Sequence, residues 1–467
     1  MATRRLSTTA IHLEHLMTTG KPGQGERNLR VDLNRIIQAA LAAVAPESCL
    51  RRVVRIEGGI LRVQEERFNL SQIERIVVVG MGKASARMAA CLEGLLTERI
   101  SEGLVVTAEG YAIPTKRVEV VEASHPVPDA RCVAAAKRIL DLVDGADEKD
   151  LVVVLISGGG SALLTLPAPG IELADVIATN EILLRSGARI GQVNTVRKHL
   201  SAVKGGQLAQ RAFPAQTLAL VLSDVPGDPL TAIASGPTVA DPTTFQQAER
   251  ILCGYGLWDK MPESVQRRIE AGVRGELAET PKPGSETLKR AKTVVIGSGS
   301  LAAEAALEEG VRLGYRTLLL STTLEGEARE VGRILAAVAR EVVASGRPVE
   351  PPALILAAGE TTVTVRGEGR GGRNQELALS AALGIEEIPR VVIGSFGTDG
   401  RDGPTDAAGA AVDGRTAGRM RGRGIAPEDS LAQNDAYRAL MLAEDLIVTG
   451  PTGTNVADLC FVMVGEG

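Results

Sequence analysis

The stretch Gly359–Glu376, GETTVTVRGEGRGGRNQE, sets Arg366, Arg370 and Arg373 among four glycines. Glycine lets backbone N–H groups turn towards a ligand, and guanidinium forks match carboxylate or phosphate oxygens in pairs. An apolar run, Ala353–Ala358, delivers this stretch as a buried strand. Asn374 to Leu379 then reads as the opening of an apolar-faced helix, whose N-terminus adds positive partial charge at the same spot. A glycine-rich hairpin with solvated arginines is the plainer alternative.

A second such turn, Gly80-Met81-Gly82-Lys83-Ala84-Ser85, follows the strand-like run Ile73–Val79 and precedes an Ala- and Met-rich helix. It is not a P-loop, because the upstream glycine is missing and Ala84 follows Lys83. It is not a dinucleotide fingerprint either: Ser85 stands where Gly or Ala belongs, and the next strand, Gly103–Thr107, ends without a ribose-binding acid. What remains is a glycine turn presenting a lysine. A third turn, Ser157-Gly158-Gly159-Gly160-Ser161, leaves the aliphatic strand Leu151–Ile156. Three glycines in a row are costly in chain entropy, and they make sense where amides wrap a small anion.

Other candidates sit on loops after strands. His125 lies in Ser124-His125-Pro126-Val127-Pro128-Asp129, where Asp129 is placed to cap the next helix. Lys204 follows the basic cluster Arg197-Lys198-His199, which also reads as a solvated helix face. Asp224 and Ser235 follow the strand Thr217–Leu222, and Asp224 suits a divalent ion or a hydroxyl proton. Asp399, Asp402 and Asp406, among glycines, suit Mg²⁺ held through phosphate and water but lack calcium-loop spacing.

These turns need alternating strands and helices to position them. The 44% apolar content, 52 glycines and only 2% aromatic residues fit an α/β fold with aliphatic cores. We expect a flexible extension over 1–28, a Rossmann-like α/β domain over 29–252, a connecting segment over 253–290 and a second α/β domain over 291–467. A lone Gly-x-Gly-x-x-Ala at 297–302 again lacks a following acid. Strand ends in both halves carry glycine, hydroxyl and acid residues, so an active-site cleft between the domains is expected.

The net charge of -5 argues against a nucleic-acid backbone footprint, and scarce aromatics argue against base stacking. Five scattered cysteines read as reduced thiols of a cytoplasmic protein. Of the four histidines, His12 and His15 fall in the extension, so a zinc site is not expected. No apolar run reaches membrane-spanning length, and an Arg/Ser/Thr-rich start leaves organelle targeting open. There is no Ser-His-Asp set and no catalytic cysteine pattern. Anion cradles, single cations and aspartates match phosphoryl transfer, in which positioning and charge neutralisation do most of the work.

Eight ordered motifs carry a resemblance: GMGKAS, SHPVPD, LISGGGSALL, NTVRKHLSAVKGG, LSDVPGDPLTAIASGPT, GETTVTVRGEGRGGRNQELAL, GTDGRDGPTDAAGA and TGPTGTNVADL. Together they resemble the glycerate 2-kinase family with its C-terminal MOFRL domain, some members of which carry the name hydroxypyruvate reductase. The resemblance implies ATP- and Mg²⁺-dependent phosphorylation of D-glycerate at its 2-hydroxyl, giving 2-phosphoglycerate, with Lys83 and Arg373 as the main catalytic cations. On that basis Lys83 neutralises the transferring phosphoryl group and Arg373 clamps substrate carboxylate or phosphate. Asp224 or Asp399 positions Mg²⁺ or the attacking hydroxyl, with Asp402 as a further metal candidate. Ser157, Gly158, Gly159, Gly160, Ser161, Asn374, Glu376, His125, Lys204 and Ser235 are the expected substrate and phosphate contacts. Loss of either cation is expected to cut turnover while the fold survives. An NAD(P)H-dependent reductase and a non-catalytic binding module are the rival readings; homo-oligomerisation stays open.

Overall fold

The computed structural model describes residues 28–466; the expected extension, with His12 and His15, lies outside them except for Asn28. The chain divides into two compact units.

One unit takes Pro46–Asp224 and Asp228–Gly297. It opens with a small antiparallel sheet of β1 (Val54–Glu57), β2 (Ile60–Val63) and β3 (Glu66–Asn69). Its main sheet holds β4 (Ile76–Met81), β5 (Ile100–Ala108), β6 (Val118–Ala123), β7 (Leu151–Ile156), β8 (Gln216–Leu222) and β9 (Ala291–Gly297). All pairings are parallel, in the order β6-β5-β4-β7-β8-β9. β4 and β7 are buried along their whole length, as strands covered by helices on both faces must be. The chain runs outward from β4 through β5 to β6, then returns to the other side of β4 as β7. β4 and β7 therefore flank the topological switch point, where the crevice of such sheets opens.

Two boundaries differ from expectation. β9 pairs with β8 (Leu220 with Val294) and closes this sheet; it does not start the second domain. The segment 253–290 is no connector either. Glu263–Val273, with Phe245–Gly254 before it, buries Phe245, Leu252, Val265 and Ile269 against Val193, Val196 and Leu200. Charges such as Glu263, Arg267 and Glu270 lie on the exposed side of this amphipathic pair. Leu173–Arg185 and Ile190–His199 are separate helices, broken where Gly187 takes φ +75°.

The other unit joins residues 28–45 to the chain from Ser298 onward, with Val225–Gly227. Its strands are β10 (Arg316–Leu324), β11 (Ala353–Gly359), β12 (Val391–Gly397), β13 (Gly409–Asp413), β14 (Leu446–Ile447) and β15 (Asp458–Val464). The order is β10-β11-β15-β12-β13-β14, parallel only between β10 and β11. The core lies between this sheet and the helices Ala328–Ser345 and Arg373–Gly384. The first helix, Leu29–Ala43, belongs here and not to the N-terminal domain. Asn28 caps it, accepting from Arg30 and Val31 N–H. Buried Arg30 ties it down, donating to Asp413 at 2.6 Å and Asp445 at 2.8 Å.

Candidate active site

At the switch point two glycine turns are built into each other. Lys83 N–H donates to Gly158 O at 2.9 Å, and Ser157 N–H donates to Met81 O at 3.0 Å. The Ser157 hydroxyl accepts from Ala84 N–H at 3.0 Å. Gly82, at φ +114°, could not carry a side chain, since a Cβ would lie 2.3 Å from both the carbonyl and hydroxyl oxygens of Ser157. Much of the glycine content therefore serves close backbone approach. The half-buried Lys83 is held by its own main chain at the carboxyl end of β4.

The third turn passes His125 so closely that a Cβ on Gly159 (φ +80°) would stand 2.9 Å from His125 Nε2. Beyond it, the hydroxyls of Ser161 and Ser235 are 2.8 Å apart, and Ser235 donates to Asn194 Oδ1 at 3.3 Å. Ala234 and Ser235 both hold positive φ, at 49° and 62°. Such conformations are strained for residues with a Cβ and persist where the surroundings impose them. Lys204 Nζ donates to the carbonyls of Ser161 and Leu164, bracing the turn from below. Burial, reinforced by the nearby Arg197 charge, brings the Lys204 ammonium down to about 7.

These groups border a cavity of about 330 Å³ lined by His125, Ser161, Asn180, Arg197 and Lys204 at its polar parts and by an aliphatic wall. Arg197, expected on a solvated face, instead faces this cavity and donates to Asn180 Oδ1 at 2.8 Å.

In the other unit the arginine-glycine stretch differs from the expected anion cradle. The N–H groups of Arg366 and Gly367 donate to Asn434 Oδ1, and that of Arg370 to Asp435 Oδ1. A Cβ on Gly367 or Gly369 would meet backbone of Gln433 or Asp435 at about 2.5 Å. The loop amides are thus filled by the protein. So is the helix N-terminus: Asp402 accepts from Asn374 N–H at 3.1 Å and Gln375 N–H at 2.8 Å. Burial pushes the Asp402 carboxyl up to about 6 in spite of these donors.

Arg373 is the first residue of that helix. It grips Asp458 with both Nε (2.5 Å) and Nη2 (3.0 Å), and Nη1 meets Glu360 at 2.8 Å. Burial opposes the guanidinium charge, but these carboxylates outweigh it and hold the pKa well above the ordinary value. Three of its five N–H groups are thereby used. Asn374 accepts from Ser395 and donates to Asp402. Glu376 binds Arg329 and Asn434. Both are buried, and both direct their hydrogen bonds into the protein rather than towards a substrate.

Two family models match the chain: a domain of unknown function, DUF4147, over residues 32–270, and the MOFRL family over 353–458. The glycerate 2-kinase of Pyrococcus horikoshii is 44% identical over 92% of this chain and 96% of its own. The D-glycerate 2-kinase of Thermotoga maritima is 44% identical over 86% of this chain and 94% of its own. The chain belongs to the glycerate 2-kinase family. A crystal structure of the Thermotoga maritima glycerate kinase superposes with a TM-score of 0.81 at 41% identity, covering 93% of this chain and 99% of that one.

For this glycerate kinase family member, the expected metal ligands fit unevenly. Asp402 does not fit, because both its oxygens accept helix N–H groups. Asp224 and Asp399 are half-buried at strand exits. Among the described residues no three His, Cys, Asp or Glu side chains form a metal cage. A divalent ion fits only as a companion of phosphate oxygens and water. Sequence reasoning missed Asp458 and Glu360 as partners of Arg373. The signal was present, since each is a lone acid at the end of an apolar strand. The acid a dinucleotide fold would need after β5 is represented only by Glu109, exposed and paired with Arg131.

Proposed function

We propose that this chain transfers the γ-phosphoryl group of ATP to the 2-hydroxyl of D-glycerate, releasing 2-phosphoglycerate and ADP. The observation that carries the reading is the pair of interlocked glycine turns at the switch point, with Lys83 held between β4 and β7 in a chain of this family. Lys83 offsets the charge of the transferring phosphoryl group. The remaining N–H groups of Ser157–Ser161 face the phosphates, and Arg373 offers its two further N–H groups to a substrate anion. Asp224 serves the attacking hydroxyl. Contacts of this kind each contribute roughly 3–4 kcal/mol to transition-state stabilisation, about 10²–10³ in rate.

Mg²⁺ enters this proposal with the nucleotide, neutralising phosphate charge when bound; Asp224 and Asp399 are the residues that would approach it through water. Among the described residues no helix is long and apolar enough to cross a membrane. None of the five cysteines forms a disulfide and four are buried, which supports a reducing, cytoplasmic setting.

The test is ADP release on addition of D-glycerate, beside NADH and NADPH oxidation on addition of hydroxypyruvate. Glycerate-dependent ADP release without pyridine-nucleotide oxidation is expected. Oxidation without ADP release would replace the kinase reading with a reductase.

A further inference from the structure

The cavity beside the switch point combines features that one ligand class unites. Its walls carry Val127, Leu166, Val176, Ile177, Leu184 and Leu200, while Lys204 and Arg197 supply two cations and Glu181 is the one acid of the lining. Among the described residues the partners of those cations are neutral: two carbonyls for Lys204 and the Asn180 amide for Arg197. Lys204 is only 6% exposed. A buried charge without a counter-ion is costly and gains greatly when an anion arrives.

Glycerate does not match this space. Each of its carbons carries oxygen, and the aliphatic wall would strip water from those groups without replacing the hydrogen bonds. A nucleoside phosphate matches both ends. Its base has apolar faces and a polar edge, which Asn180 and Glu181 can read, and its phosphates supply the missing negative charge. Ser161 borders the cavity and also belongs to the triple-glycine turn that holds Lys83. A base in the cavity therefore leads its phosphate chain towards that turn.

We infer that this cavity holds the nucleoside of the phosphoryl donor, with the base against Ile177 and Leu166 and the phosphates directed past Arg197 and Lys204 to the glycine turn. The inference rests on the proposed use of ATP and names where this chain takes it. It gives Arg197 and Ile177 a role in donor binding.

The test uses the full chain and fluorescent N-methylanthraniloyl-ADP, with unlabelled ADP and adenosine as competitors. Ile177→Trp, which fills the cavity, is expected to weaken ADP and adenosine alike by at least about ten-fold through steric exclusion, with KM for D-glycerate unchanged. Arg197→Met is expected to weaken ADP by about ten-fold while adenosine binds as before, because only the charged contact is lost. Circular dichroism and melting temperature establish that each variant folds. Raised KM for glycerate with unchanged ADP binding in both variants would assign the cavity to the acid substrate and overturn the inference. So would ADP and adenosine binding unaffected in both. Failure of the kinase reading is seen separately, as wild-type protein that binds ADP in this cavity yet does not phosphorylate glycerate.

Discussion

The main-chain N–H of Lys83 donates to the carbonyl oxygen of Gly158 at 2.9 Å, so the cation after β4 and the triple-glycine turn after β7 form one construction. The position of Lys83 is fixed by backbone, so replacing its side chain leaves the turn itself in place. Lys83→Ala is therefore expected to lower kcat by about 10²–10³ with little change in melting temperature. Gly82→Ala is expected to do the reverse first, lowering stability by roughly 2–4 kcal/mol, because its Cβ would collide with Ser157. Steady-state kinetics beside denaturant titration separate the two.

Arg373 behaves differently, and here the expectation that the fold would survive its loss is revised. Removing the guanidinium strands Asp458, a carboxylate only 3% exposed, without its bidentate partner. Arg373→Ala is expected to cost about 3–5 kcal/mol of stability as well as turnover. The double variant Arg373→Met with Asp458→Leu is expected to recover much of the stability and none of the activity, as read by urea unfolding and the glycerate assay.

Lys204 predicts a pH signature. In the unfolded chain an ordinary lysine keeps its proton to 10.5, whereas in the fold Lys204 releases it near about 7. Between those values the unfolded state binds more protons, so this residue's contribution to stability rises with pH. Its penalty is full below pH 7 and absent above the unfolded value. The stability of wild type minus that of Lys204→Met, from unfolding curves at several pH values, is expected to climb by a few kcal/mol across this window, on the order set by one such shift. A flat difference would show that Lys204 keeps its charge.

The first helix is expected to act as part of the C-terminal unit. Arg30 is buried between Asp413 and Asp445, with Arg419 as the other cation of the cluster. Arg30→Met leaves that cluster one charge short and is expected to cost about 3–5 kcal/mol. Hydrogen exchange should then rise in Gly409–Asp413 and Thr416–Gly422, while β4 and β7 stay protected.

What the sequence displayed was local. Leu151–Ile156 and Ala353–Gly359 are apolar runs that lead into glycine-rich turns, and each is an interior strand of its sheet. The Lys83 turn and the triple glycine were legible because their residue types have few other uses. Long-range pairing was not. β9 reads as a new beginning because a charged, proline-bearing stretch precedes it, yet β8 is its neighbour. The arginine-glycine stretch reads as an anion cradle until Asn434 and Asp435, far along the chain, take its amides. Arg197 looks solvated on its own helix; the facing helix Leu173–Arg185 and the loops at 125–128 and 159–167 turn its surroundings into a cavity.

The central claim is the transfer of a phosphoryl group to one particular hydroxyl, and phosphorus NMR of the product reads it directly. With D-glycerate, ATP and Mg²⁺ the resonance of 2-phosphoglycerate is expected to grow with that of ADP and to be lost in Lys83→Ala. A 3-phosphoglycerate resonance, or undiminished turnover in that variant, would contradict it.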